Sequence, residues 1–165
     1  MIITNVGRIV KEKGQEFLID AIPKVLKKNP NVQFLIVGDC NLNENFSKTL
    51  KDKVKENDLE RYVTFTGVRN DVKEILSASD LFVFPSIQEG FALVTLEALA
   101  AGIPIVATDV GSIREVLINK VNGLIIPPKS GDEIAEAINF MLNDLQNAKN
   151  MAQKGRDLVE KKIYN

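Results

Sequence analysis

Short runs of continuous apolar residues alternate along this chain with longer stretches in which apolar positions recur at helical spacing. Ile2–Val6, Val32–Val37, Tyr62–Thr66, Leu81–Phe84, Ile103–Ala107 and Gly123–Ile126 have strand length and read as strands buried on both faces. Helices are expected near Gln15–Lys28, Glu44–Asn57, Val72–Ser77, Leu93–Ala101, Ile113–Val116, Asp132–Asn143 and Leu145–Ile163. In Gln15–Lys28, the residues Phe17, Leu18, Ala21, Ile22, Val25 and Leu26 fall on one face, so a helix is predicted there despite Pro23, with a bend at the proline. Strands that need cover on both sides and are separated by helices imply an α/β domain. Its core is a doubly wound parallel sheet of about six strands with right-handed crossovers and helices on both faces. No internal repeat, low-complexity segment or linker interrupts the pattern, so residues 1–165 read as a single domain.

Composition narrows the chemistry. The 165 residues are 45% hydrophobic and their mean hydropathy is close to zero, which suits a globular chain with a real core. A net charge of −1 supplies no global attraction to nucleic acid or to an anionic membrane. The single cysteine, Cys40, excludes an intrachain disulfide. No run approaches a membrane span, and Met1-Ile2-Ile3-Thr4-Asn5 leads into a strand rather than a signal peptide, so a cytoplasmic location is expected. There is no histidine. That removes Ser-His and Cys-His nucleophile pairs, the usual zinc sites and the commonest proton carrier near neutral pH. Carboxylates, lysine, arginine and backbone amides remain.

In an open parallel sheet, ligands sit beyond the carboxyl ends of the strands. The loop after the first strand, Gly7-Arg8-Ile9-Val10-Lys11-Glu12-Lys13-Gly14, offers Arg8 and Lys13 to a diphosphate and two glycines for tight turning, or is simply a loop with two solvated cations. In Val37-Gly38-Asp39-Cys40, Asp39 could stabilise the turn. Backbone groups of Thr66-Gly67-Val68 could read a base edge, and Asn70 or Asp71 is expected to cap the next helix. The segment Ser86 to Ala98 is the most informative. Gly90, Phe91, Ala92, Leu93 and Val94 bring a fresh helix N-terminus to a strand end, a place for phosphate or sugar oxygens. Glu97, one turn beyond Leu93, could accept the vicinal diol of a ribose, and Glu89 the hydroxyls of a second sugar, although Glu97 could also be an ordinary exposed position. In Asp109 to Val116, Arg114 and Glu115 read as an exposed ion pair, while Asn122-Gly123 reads as a turn. The lysines at 51–55 and 161–162 read as solvated helix faces.

Together these segments resemble the C-terminal, donor-binding domain of retaining GT-B glycosyltransferases, the large group 1 family (family 4). The resemblance rests on Glu89 and Glu97 in an E-x7-E pattern, with Gly7-Arg8…Lys13-Gly14, Val37-Gly38-Asp39, Phe65-Thr66-Gly67, Gly102 to Gly111 and Asn122-Gly123-Leu124…Pro127-Pro128 in the family's order. Cys40 and Ser112 stand where that pattern often has glycine. The resemblance implies a UDP-, GDP- or ADP-sugar donor, with no further cofactor and no metal. It implies that Arg8 and Lys13 neutralise the leaving diphosphate, that Glu97 binds the ribose and Glu89 the transferred sugar, and that Arg8, Lys13 and Glu89 form the catalytic set. Residues 90–94 then donate to the diphosphate and sugar, and 66–68 contact the base. It also implies a partner half, an N-terminal acceptor domain absent from this chain, without which the domain is expected to be inactive. Any peripheral association with a membrane would run through that missing half. Three other readings share some of these features: a free-standing nucleotide-sugar binding module, half of a GT-B epimerase or phosphorylase, and a dinucleotide-binding oxidoreductase. The last lacks the Gly-x-Gly-x-x-Gly turn after the first strand.

Overall fold

In the computed structural model, residues 1–90 and 93–164 are described, with side chains to residue 161. Six parallel strands form one sheet: β1 (Ile2–Val6), β2 (Gln33–Val37), β3 (Val63–Gly67), β4 (Leu81–Phe84), β5 (Ile105–Thr108) and β6 (Leu124–Ile126), in spatial order β3-β2-β1-β4-β5-β6. The connections carry α1 (Gln15–Lys28), α2 (Glu44–Glu56), α3 (Val72–Ser77) and α4 (Leu93–Ala101), followed after β6 by α5 (Gly131–Asn143) and α6 (Leu145–Tyr164). The expected doubly wound α/β fold is what the chain forms.

The period of two along β4 shows why both faces are covered. Leu81 and Val83 pack with α1 and α5 side chains such as Leu18, Ile22, Ile134 and Ile138, while Phe82 and Phe84 pack on the other face with Leu76 of α3, Ala98 and Leu99 of α4 and Val159 of α6. All four β4 residues are buried. The edge strand β3 departs from the fully apolar expectation, since Thr64 is exposed and Phe65 to Gly67 are half-buried. An edge has a neighbour on one side only. On the α4 side, Gly155 of α6 lies against Leu99, where a Cβ would come within 2.4 Å of the leucine Cδ2. Among the described residues no helix is long and apolar enough to cross a membrane.

Element boundaries shift for local reasons. β5 begins at Ile105 rather than Ile103, because Pro104 has no N–H to give; its carbonyl accepts from Phe82 N at 2.9 Å instead. α5 begins at Gly131 because Ser130 is the cap, its hydroxyl accepting from Glu133 N at 3.2 Å. The helix expected at Ile113–Val116 is a single 3-10 turn, Ile113–Glu115. α1 runs unbroken through Pro23, which forfeits the bond to the Ile19 carbonyl four residues back.

Strand order fixes where a ligand can go. β1 pairs with β2 on one side over five positions and with β4 on the other at Ile3↔Leu81 and Thr4↔Phe82. The chain winds away from that junction in opposite directions, so the loops after β1 and β4 leave a crevice between them. Beyond Thr4 the buried Asn5 takes over from backbone pairing, its Nδ2 donating to the Val83 carbonyl at 3.0 Å.

Candidate functional site

Backbone contacts hold the β1–α1 loop to the β4–α4 loop. Ile87 N donates to the Glu12 carbonyl at 2.8 Å. Gly14 takes φ +66° and lies so close to Pro85 that a Cβ there would stand 2.0 Å from the proline carbonyl oxygen, so a side chain is excluded both sterically and conformationally. A 3-10 turn over Lys11–Lys13 brings the chain to Gly14, the N-cap residue of α1. Gln15, fully buried, reaches back with Nε2 to the Arg8 carbonyl at 2.9 Å and fixes the loop from inside.

Across the crevice, Pro85 ends β4 and Ser86 is buried beneath the loop. Ser86 Oγ donates to Glu89 Oε1 at 3.0 Å, and its carbonyl accepts from the buried Thr108 hydroxyl at 2.6 Å. Gly111, at φ +55°, supports the loop from β5; a Cβ there would lie 2.5 Å from the Glu89 carbonyl oxygen. Glu89 forms an ion pair with Lys13, the two side chains being 8% and 18% exposed. Together Arg8, Glu12, Lys13, Gln88, Glu89 and Gly90 line an open cleft of about 500 Å³ at the switch point. Arg8 is exposed at its rim. Two cations, the held carboxylate of Glu89, the exposed carboxylate of Glu12 and close backbone make a place for an anionic ligand that also carries hydroxyls.

The structure thus brings Arg8, Lys13, Glu89 and Gly90 together, with Gly7 beside Lys13. Leu93 and Glu97 lie on the exposed face of α4, one turn apart, and Val94 is half-buried; none of the three is in the described lining of the cleft. Phe91 and Ala92 lie outside the described residues. Thr66 and Gly67 end β3, two strands away, and Val68 follows it; Gly67 accepts from Gly38 N at 3.1 Å, and Val68 is 68% exposed. The cap expected from Asn70 or Asp71 takes another form. Asp71 occupies the α3 N-cap without a side-chain cap bond, because its carboxylate is gripped by Arg69 at 2.8 and 2.5 Å. That hydrogen bond and charge hold the Asp71 carboxyl below its ordinary value.

Other readings resolve as well. Asp39 does stabilise its turn, Oδ1 accepting from Asn41 N at 2.8 Å. Arg114 pairs not with Glu115 but bidentately with Asp109, at 2.7 and 2.6 Å. Its hydrogen bonds, then its charge, lower the Asp109 carboxyl below the usual range. Asn122 is more than a turn residue: buried, it accepts from Ile118 N at 2.6 Å and donates to the Val116 carbonyl at 3.0 Å. Lys53, among the lysines read as solvated, ties α2 to α1 through Asp20 at 2.6 Å. Glu12 and Gln88 in the lining, and Gln15 beneath it, are contributions that the sequence reading does not include. The available signal for Gln15 was its register, three and four residues before Leu18 and Ile19 on the buried face of α1.

Comparison with known proteins gives this cleft a context. The chain is 35% identical over 144 residues to an uncharacterized glycosyltransferase of Methanocaldococcus jannaschii, covering 86% of this chain and 36% of that protein. It is 31% identical over 141 residues to the lipopolysaccharide core biosynthesis mannosyltransferase LpsB of Rhizobium meliloti, covering 84% and 40%. It therefore spans about two-fifths of the length of such relatives. Among solved structures, Anabaena HepE in complex with UDP superposes with a TM-score of 0.92 at 30% identity, over 97% of this chain and 44% of that one. The C-terminal domain of a group 1 glycosyl transferase, LpcC of Francisella tularensis, superposes with a TM-score of 0.89 at 34% identity, over 98% and 85%. A family model for glycosyl transferases group 1 matches residues 1–158. The chain belongs to the glycosyl transferases group 1 family, and its cleft lies at the switch point of that family's α/β sheet.

Proposed function

We infer that this domain is the donor-binding half of a retaining GT-B glycosyltransferase that takes a UDP-, GDP- or ADP-linked sugar. The observation that carries the reading is the placement of Arg8 and Lys13 on one wall of the switch-point cleft, opposite Glu89 and Gly90 on the other. A nucleoside diphosphate sugar presents a matching order of groups: anionic oxygens for the two cations, and hydroxyls for a carboxylate that can only accept. Arg8 and Lys13 offset the charge that builds on the leaving diphosphate, where electrostatic stabilisation has most effect on a transfer reaction. Glu89 orients the sugar, Glu97 accepts the ribose hydroxyls from α4, amides of residues 90–94 donate to the diphosphate and sugar, and Thr66 to Val68 meet the base. The Anabaena structures that superpose on this chain are complexes with UDP, with UDP and glucose, and with UDP-glucose, which supports a nucleotide-sugar ligand.

No side chain needs to act as a proton carrier in this scheme, since the leaving phosphate can take the acceptor proton. No metal is required either. Transfer needs the acceptor held against the sugar, and that task falls to an N-terminal domain. The domain alone binds donor without turnover. The experiment is a thermal-shift screen of UDP, GDP and ADP and their glucose conjugates, followed by calorimetry on Arg8→Ala, Lys13→Ala and Glu97→Ala. The expected result is stabilisation by one base and about tenfold weaker binding in each variant, the loss of one charge-assisted contact. Unchanged affinity in all three variants would mean that the ligand sits elsewhere.

A further inference from the structure

The two cations facing the cleft stand in different states. Arg8 is exposed and has no acidic partner among the described residues, whereas Lys13 is engaged by Glu89. The partners of that ion pair are unequally free to move. Lys13 is a four-carbon stem that can swing. Glu89 is fastened: Ser86 donates to its Oε1 at 3.0 Å, Thr108 holds the Ser86 carbonyl at 2.6 Å, and Gly111 packs against its backbone. Half of the positive charge available for a diphosphate is therefore already committed to a carboxylate that stays in place. A ligand that draws Lys13 away leaves Glu89, 8% exposed, without its counter-ion and beside a new anion. A sugar hydroxyl can donate to that carboxylate in compensation. A bare nucleoside diphosphate has no such group at that end.

We propose that Glu89 is a specificity-determining residue that makes the cleft discriminate against nucleoside diphosphates lacking a sugar, by competing with the diphosphate for Lys13. The inference rests on the donor-site reading above. It gives the ion pair a place in the catalytic cycle: once the sugar has left, Glu89 recovers Lys13 and expels the nucleotide product. The same residue would both orient the substrate and speed its remnant's release.

Calorimetry with UDP, GDP and ADP and their glucose conjugates, on the 165-residue chain, tests this. Glu89→Gln should bind the preferred bare diphosphate about three- to tenfold more tightly than the unaltered chain, the range expected for breaking one partly buried competing ion pair. Its preference for the sugar conjugate over the bare diphosphate should fall. Glu89→Ala, which also removes the acceptor of Ser86, should shift the bare diphosphate in the same direction. In a Lys13→Ala background the gain from Glu89→Gln should vanish. If the gain persists there, the effect is through-space repulsion and the competition is refuted. If neither Glu89 variant tightens binding while Lys13→Ala weakens it, the inference falls and the donor site stands. If no nucleotide or conjugate binds the chain or any variant, the donor site itself falls, and the inference with it.

Discussion

Gly14 packs against Pro85 where the two site loops meet, and replacing it with alanine measures how tightly they are locked. Two costs add at this position. The first is the φ of +66°, which an L-residue adopts at a penalty of about 1 kcal/mol. The second is steric: the new Cβ would lie 2.0 Å from the Pro85 carbonyl oxygen, and real Cβ atoms essentially never come within 3.0 Å. Backbone meets backbone there, so no rotamer change relieves it, and the loops must part by about 1 Å, an overpacking cost of about 2 kcal/mol. Gly67 supplies the control. Its φ is +72°, yet nothing lies within 4 Å of its Cβ position, so Gly67→Ala incurs the first cost alone. Urea unfolding should show Gly14→Ala losing about 3 kcal/mol and Gly67→Ala about 1 kcal/mol, a midpoint difference near 1 M for an m-value of about 2 kcal/mol/M. Parting the loops also strains the bond from Ile87 N to the Glu12 carbonyl and separates Lys13 from Glu89. Gly14→Ala should therefore lose nucleotide affinity as well. Equal stability losses in the two variants would refute the claim that contact, rather than backbone angle, fixes this position.

Asn5→Ala removes the buried donor that bridges β1 to β4 past their last paired residues, and should cost about 1–2 kcal/mol in the same assay; a change below about 0.5 kcal/mol would show that the bridge adds nothing to the sheet. The Asp109 carboxyl, lowered chiefly by its hydrogen bonds from Arg114, should titrate by NMR below the ordinary carboxylate range. Because the folded value lies below the unfolded one, the pair's contribution is complete above the ordinary range and disappears as pH falls through the lowered value. Arg114→Ala should return the midpoint to that ordinary range; an unmoved midpoint would mean that the bridge does not form in solution.

Leu81–Phe84 illustrates what could be read without coordinates. Four consecutive apolar residues followed by Pro85 can only be satisfied by cover on both faces and a stop at the proline, and the structure has both. Ile103–Ala107 looked the same, but Pro104 moved the start of its strand, since apolarity records burial and says nothing about available N–H groups. Arg8, Lys13 and Glu89 were legible as charges at strand ends. Their pairing was not: Lys13 and Glu89 stand 76 positions apart, and only the β1–β4 junction brings them together. Amides were harder still. Gln15, Asn5 and Asn122 carry no charge, yet each bonds a backbone group of another segment from a buried position. Arg114 pairs with Asp109 rather than its neighbour Glu115, since adjacent side chains on a helical turn do not face each other.

The contact between Gly155 and Leu99 joins two parts of the molecule that sequence keeps far apart. With no Cβ at 155, α6 carries a notch, and the Leu99 side chain of α4 is seated in it. Leu99 is fully buried. The notch acts as a key: a side chain at 155 would push α6 away from Leu99 and so from α4. α4 begins at Leu93 and carries Glu97 on its exposed face. The seat of the last helix and the placement of the helix that bears Glu97 are thus tied through one buried side chain, on one face of the sheet.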